Sequence, residues 1–151
     1  MTHLVRTDST NTDFIELVRQ LDALLAALDG EEHAFYNKLN KIDAIKHVVV
    51  AYENNIAVGC GAIREFEPGI SMEVKRMYTL PSARGKGVAS KVLYELEQWA
   101  GEMRYKKCVL ETGKRQPEAI ALYKKSGYTT MPNYGKYINM DNSVCFEKQL
   151  G

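Results

Sequence analysis

Apolar residues recur at three- and four-residue spacing early in the chain, at Phe14, Leu17, Val18, Leu21, Leu24, Leu25 and Leu28. That is the period of a helix with one buried face. Asp13 and Glu16 have the spacing of a capping box, and Gly30 supplies a stop. A short extended piece at 3–7 precedes this helix, and a weaker helical pattern covers about 31–41. In "HVVVAYENNIAVGCGAIREFE" two β-branched, apolar runs flank a turn near Glu53–Asn55, which predicts an antiparallel hairpin. Alternation over 70–80 adds a third strand, closed by Pro81.

The rhythm then changes. Val88, Val92, Leu96, Trp99 and Met103, flanked by Ala89, Leu93 and Ala100, line one helical face, with Lys91, Glu95 and Glu102 opposite. "KKCVLETG" at 106–113 reads as a strand. Pro117 suits a first helical turn, so "QPEAIALYKKSG" predicts a helix ended by Gly127. "YTTM" and "SVCFEKQL" are closing strands, separated by a polar loop at 132–142. The predicted order is β-α-α-β-β-β-α-β-α-β-β, a mixed α/β sheet in a single domain spanning 1–151.

Composition changes this picture little. With 45% apolar and 26% charged residues, 151 residues suit one core. A net charge of +1 provides no global field for nucleic acid or an anionic membrane, so any anion site must be local. "MTHLVRTDST" lacks the apolar core of a signal peptide, and the longest apolar run, 23–28, is too short to span a bilayer. A cytoplasmic protein is the expectation. Cys60, Cys108 and Cys145 each lie in an apolar, strand-like stretch and read as buried, reduced thiols. His33 and His47 have no spaced partner, so no metal is implied.

The segment "LPSARGKGVASKVLYEL" at 80–96 contains no acid until Glu95. Arg84-Gly85-Lys86-Gly87 places two residues without a Cβ where a helix begins. There, unpartnered backbone N–H groups and the helix dipole favour an anion. Taken alone, "RGKG" reads more readily as a basic turn that caps a helix, because neither GxxxxGK[ST] nor GxGxxG is present.

What brackets the turn decides between these readings. "RGKGVA" resembles the R/Q-x-x-G-x-G/A pattern of the GCN5-related N-acetyltransferase (GNAT) superfamily, at Arg84, Gly87 and Ala89. "QPEAIALYKKSGY" is similar to its second signature at Ala119, Leu122, Tyr123, Gly127 and Tyr128, with Gln116 where the family often has asparagine. The resemblance implies the GNAT fold, with splayed central strands, and transfer of an acetyl group from acetyl-CoA to a primary amine. Carried over, the amides of Gly85, Lys86, Gly87, Val88 and Ala89, with the Arg84 and Lys86 side chains, would hold the pyrophosphate. Backbone groups of Met77, Tyr78 and Thr79 would hold the pantetheine arm, with Gln116 beside it.

Acetylating an amine needs a proton removed from the ammonium and the departing thiolate stabilised. Glu73 falls where histone-type members of the family place a base, with Glu111 in reserve as base or counter-charge. Tyr123 falls at the family's general acid. Tyr134 and Tyr137, in the 132–142 loop, would border the acceptor, for which a small polar metabolite amine is expected. Three rivals remain at this level. One is a non-catalytic acyl-CoA sensor, and another an enzyme acting on protein or peptide amines. The third is a nucleic-acid binder using Lys75, Arg76, Arg84, Lys86 and Lys91, which lacks the wider basic face such binding needs. A homodimer through the late strands is an open option.

Overall fold

The computed structural model describes residues 1–29 and 44–151. Strand β1 (Thr2–Thr7) leads into α1 (Thr12–Asp29), followed by β2 (His47–Glu53), β3 (Ile56–Glu67) and β4 (Ser71–Thr79). A 3-10 turn at Pro81–Ala83 precedes α2 (Val88–Glu102), then β5 (Lys107–Gly113), α3 (Pro117–Lys125), β6 (Thr129–Met131) and β7 (Ser143–Gln149). The weaker helix predicted at 31–41, and the stop at Gly30, lie outside the described residues. No helix among the described residues is long and apolar enough to cross a membrane.

The strands form one sheet in the order β1-β2-β3-β4-β5-β7-β6. Every neighbouring pair is antiparallel except β4 and β5. Asn54 and Asn55 both have positive φ, 50° and 66°, the geometry of a two-residue turn whose twist matches the strands it joins. Val48, Val49, Val50 and Ala51 are all fully buried, because both faces of the sheet are covered. On one face Val49 and Ala51 pack with Val92 and Leu96 of α2. On the other, Val48 and Val50 pack with Phe14 and Leu17 of α1.

Two local expectations change. The cap of α1 is Asn11, whose side-chain oxygen accepts the Phe14 N–H at 2.9 Å. Asp13 instead accepts the Tyr52 hydroxyl at 2.7 Å, and Glu16 pairs with Arg19 at 2.7 Å, so no capping box forms. The 132–142 segment is more than a polar loop. It contains a 3-10 turn at Gly135–Tyr137, and it buries Tyr134 and Tyr137 against Val109 and Cys145. The end of α3 follows its sequence signal: Gly127, at φ 97°, lets the Tyr128 N–H reach the Tyr123 carbonyl at 3.0 Å.

A bulge in β4 positions the site. Ala62 pairs with Lys75 but Cys60 with Tyr78, so β4 carries one extra residue there, with Arg76 at φ 58°. The Arg76 guanidinium is held by Asp22 of α1 at 2.6 Å. Past the bulge the faces exchange, so Met77 turns toward α2 over Gly61. A Cβ on Gly61 would lie 2.4 Å from Met77 Sδ, 2.9 Å from Leu96 Cδ1 and 3.0 Å from Val92 Cγ1.

Gly61→Ala should therefore cost about 1–3 kcal/mol in urea unfolding through overpacking, and a double-mutant cycle with Met77→Ala should show coupling between the two sites. A neutral Gly61→Ala would contradict this packing. All three cysteines are buried, and burial pushes the Cys60 and Cys108 thiols up to about 12 and the Cys145 thiol to about 11. A thiol reagent at pH 8 should leave the native protein unmodified and titrate 3 thiols per chain after guanidinium unfolding. Rapid labelling of the native chain would refute that burial.

Candidate active site

β4 and β5 pair only at Ser71–Lys107, Met72–Cys108 and Glu73–Val109. Beyond Glu73, β4 stays with β3 as far as Thr79, and beyond Val109, β5 stays with β7 as far as Gly113. The edges that face each other there have no ladder, and a cavity of about 690 Å³ opens between them. It crosses the sheet, from the α2 and α3 face to the α1 face.

At one end lies the start of α2. Gly87 is its N-cap, at φ 80°, without any side-chain cap. Gly85 is also at φ 80°, and a Cβ at either glycine would meet nothing within 4 Å. Their requirement is therefore for the left-handed backbone rather than for space. The first helical bond to a carbonyl runs from Lys91 N to Gly87 O at 3.1 Å, which leaves the N–H groups of Val88, Ala89 and Ser90 without an intrahelical acceptor. Gly85, Gly87, Val88 and Ala89 line the cavity, and Lys86 does not. Arg84 lines it while folded back, its Nε donating to the Thr79 carbonyl at 3.1 Å and its guanidinium 5.8 Å over the Tyr78 ring. Met77, Tyr78 and Thr79 line the wall, with the Tyr78 hydroxyl turned to Gln20 of α1 at 3.4 Å. Gln116 also lines the cavity, at the N-cap position of α3 but without capping it.

The other end is polar. Glu73 is 4% exposed and both of its oxygens are engaged. Oε2 accepts the Tyr134 hydroxyl at 2.7 Å, and Oε1 lies 3.4 Å from Arg64 Nε and 3.9 Å from Lys75 Nζ. Tyr134 thus sits behind Glu73 and does not line the cavity, whereas Tyr137 does. Lys75 donates to the Tyr137 hydroxyl at 3.4 Å. Glu111, half-buried at the edge of β5, accepts the Ser143 hydroxyl at 2.6 Å. Tyr123 reaches the cavity from the opposite face of the sheet, packed on Tyr128 and Phe146. Burial, then the charge of Glu111, raises its phenol above the ordinary tyrosine value, so it stays protonated.

Three contributors were not anticipated. Leu21, Leu24, Leu25 and Leu28 of α1 form an apolar wall. The apolar stripe of α1 is longer than the sheet needs, since only Phe14, Leu17 and Leu21 are buried in it. Arg115 reaches over the cavity to donate to the Leu28 carbonyl at 3.2 Å, and Lys75 lies on the floor. Among the described residues no cluster of His, Cys, Asp and Glu could hold a metal ion.

The chain has known counterparts. The acetyltransferase (GNAT) family model matches residues 14–128. The IAA acetyltransferase of Azospirillum brasilense is 33% identical over 140 residues, 90% of each protein. A Klebsiella pneumoniae structure described as an acyl-CoA N-acyltransferase superposes with a TM-score of 0.84 at 33% identity, covering 100% of this chain and 99% of that one. A GNAT family acetyltransferase from Elizabethkingia anophelis with acetyl-CoA bound shares the fold, with a TM-score of 0.70 at 16% identity and coverage of 99% and 98%. Matched by the family model over most of its length and by a relative over 90% of it, this chain belongs to the acetyltransferase (GNAT) family and is an acetyl-CoA-dependent N-acetyltransferase.

Proposed function

We propose that the protein transfers the acetyl group of acetyl-CoA to the primary amine of a small molecule, by direct attack within a ternary complex. The observation that carries this reading is the passage through the sheet, with an anion-ready helix start at one end and a carboxylate and a phenol at the other. The donor enters at the cradle. Backbone amides of Gly85 to Ala89 and the guanidinium of Arg84 take its pyrophosphate, and the unpaired edge of β4 from Met77 to Thr79 takes the arm. A GNAT family acetyltransferase of the same fold from Elizabethkingia anophelis has acetyl-CoA bound, which supports acetyl-CoA as the donor.

A lysine-like amine has a pKa of about 10.4, so at neutral pH it arrives protonated. Glu111 is the proton acceptor in this proposal. Glu73, clamped by Tyr134, Arg64 and Lys75, acts as a fixed charge that orders the floor. As the C–N bond forms and the C–S bond breaks, charge develops on sulfur. Tyr123 donates a hydrogen bond to it. A phenol less acidic than a thiol stabilises the thiolate rather than surrendering its proton outright. All three cysteines are buried, which supports direct attack over a cysteinyl intermediate.

Gly87→Ala must hold a Cβ residue at φ 80°, which costs about 1–2 kcal/mol, so its affinity for acetyl-CoA by calorimetry should fall about tenfold or more. Unchanged affinity would remove the cradle from the binding site. In steady-state kinetics Glu111→Gln should lower kcat by about 100-fold, with a residual rate that climbs as pH rises and frees the amine. Tyr123→Phe should lower kcat by about tenfold or more. A Glu111→Gln enzyme at wild-type rate, alongside a disabled Glu73→Gln enzyme, would move the proton acceptor to Glu73.

A further inference from the structure

Resting on the reading of this cavity as the acceptor pocket, the inference here concerns what the acceptor must carry besides an amine. The last β4–β5 pair is Glu73–Val109. Two residues further along each strand, Lys75 and Glu111 stand on the α1 face at opposite edges of the opening, with Tyr137 against Lys75. A cation and a carboxylate thus flank one gap. A ligand that carries an ammonium and a carboxylate on one carbon could meet both.

Lys75 is 8% exposed. Burial lowers its amine below the ordinary lysine value, and the opposing pull of Glu73 and Glu111 does not restore it, while Arg64 and Arg76 act in the same sense as burial. Facing Lys75 across the cavity are Leu24, Leu25 and Leu28, half-buried and apolar.

We propose that the acceptor is a zwitterion with an apolar body, an α-amino acid with a hydrophobic side chain. Its carboxylate is held by Lys75, its amine faces Glu111, and its side chain lies along the leucines of α1. Lys75 is on this account a specificity residue that touches substrate. The reaction balances simply: the amine forms the C–N bond, the C–S bond breaks, and the products are the N-acetyl amino acid, coenzyme A and one proton.

The test compares kcat/KM for L-leucine, L-methionine and L-phenylalanine with their amides, with spermidine and with a lysine peptide, all with acetyl-CoA. Chemistry alone favours the amides, whose amines are less basic and more often unprotonated at neutral pH. The wild-type enzyme should nonetheless prefer the free acids by about tenfold or more, the worth of a charge-assisted contact. Lys75→Met should bring the acid-to-amide ratio toward one whatever its absolute rate, and Lys75→Arg should keep the preference. If amides or spermidine are better substrates for the wild type, or if the ratio survives in Lys75→Met, the proposal is overturned. It is also overturned if a protein that binds acetyl-CoA by calorimetry acetylates none of the three amino acids, and the proposed donor site then stands. If acetyl-CoA does not bind, both readings fail.

Discussion

The parting of β4 from β5 after Glu73 and Val109 is the constraint on which the rest depends. A sheet rarely gives up ladder hydrogen bonds in its centre, because buried N–H and C=O groups need partners. Here each strand keeps its outer neighbour, β3 for β4 and β7 for β5. The bulge at Arg76 bends β4, and Asp22 ties that bulge to α1. What results is an opening lined by main-chain groups, which a ligand with an amide-rich arm can satisfy. The same bulge exchanges the faces, sending Met77 to α2 and leaving Glu73 and Lys75 on the α1 side.

Charge is distributed so that the two ends of the passage differ. At the cradle, positive potential comes from the backbone and from Arg84, with no acid in the first turn of α2. At the floor, Glu73, Lys75, Arg64 and Tyr134 hold one another, and Glu111, bonded by the Ser143 hydroxyl, lies across the gap. Tyr123 approaches from the opposite face of the sheet, kept neutral by burial and by Glu111. Glu111 and the Tyr123 phenol are thereby held on opposite sides of the opening.

Much of this was legible in the amino-acid order, because it is local. Helical spacing marks α1, α2 and α3, the Asn54-Asn55 turn marks a hairpin, and the glycines of "RGKG" mark the cradle. Capping was less legible, since Asn11 and Asp13 are both good cap residues and only the position of Tyr52 decides between them. The bulge carried no signal at all, for it uses an arginine where glycine would have announced a positive φ. The burial of Lys75 was equally silent. It depends on Tyr137 folding back from a loop more than sixty residues away in the chain, and the parting of β4 and β5 is a relation between strands separated by a whole helix.

The most direct measurement is amide hydrogen exchange with and without acetyl-CoA. Bound donor should slow exchange at residues 85–90 and along the unpaired edge of β4 at 77–79, while β1 and β6, remote from the opening, stay unchanged. Protection confined to other surfaces, or none at saturating acetyl-CoA, would contradict the claim that the parted strands and the start of α2 form the donor site.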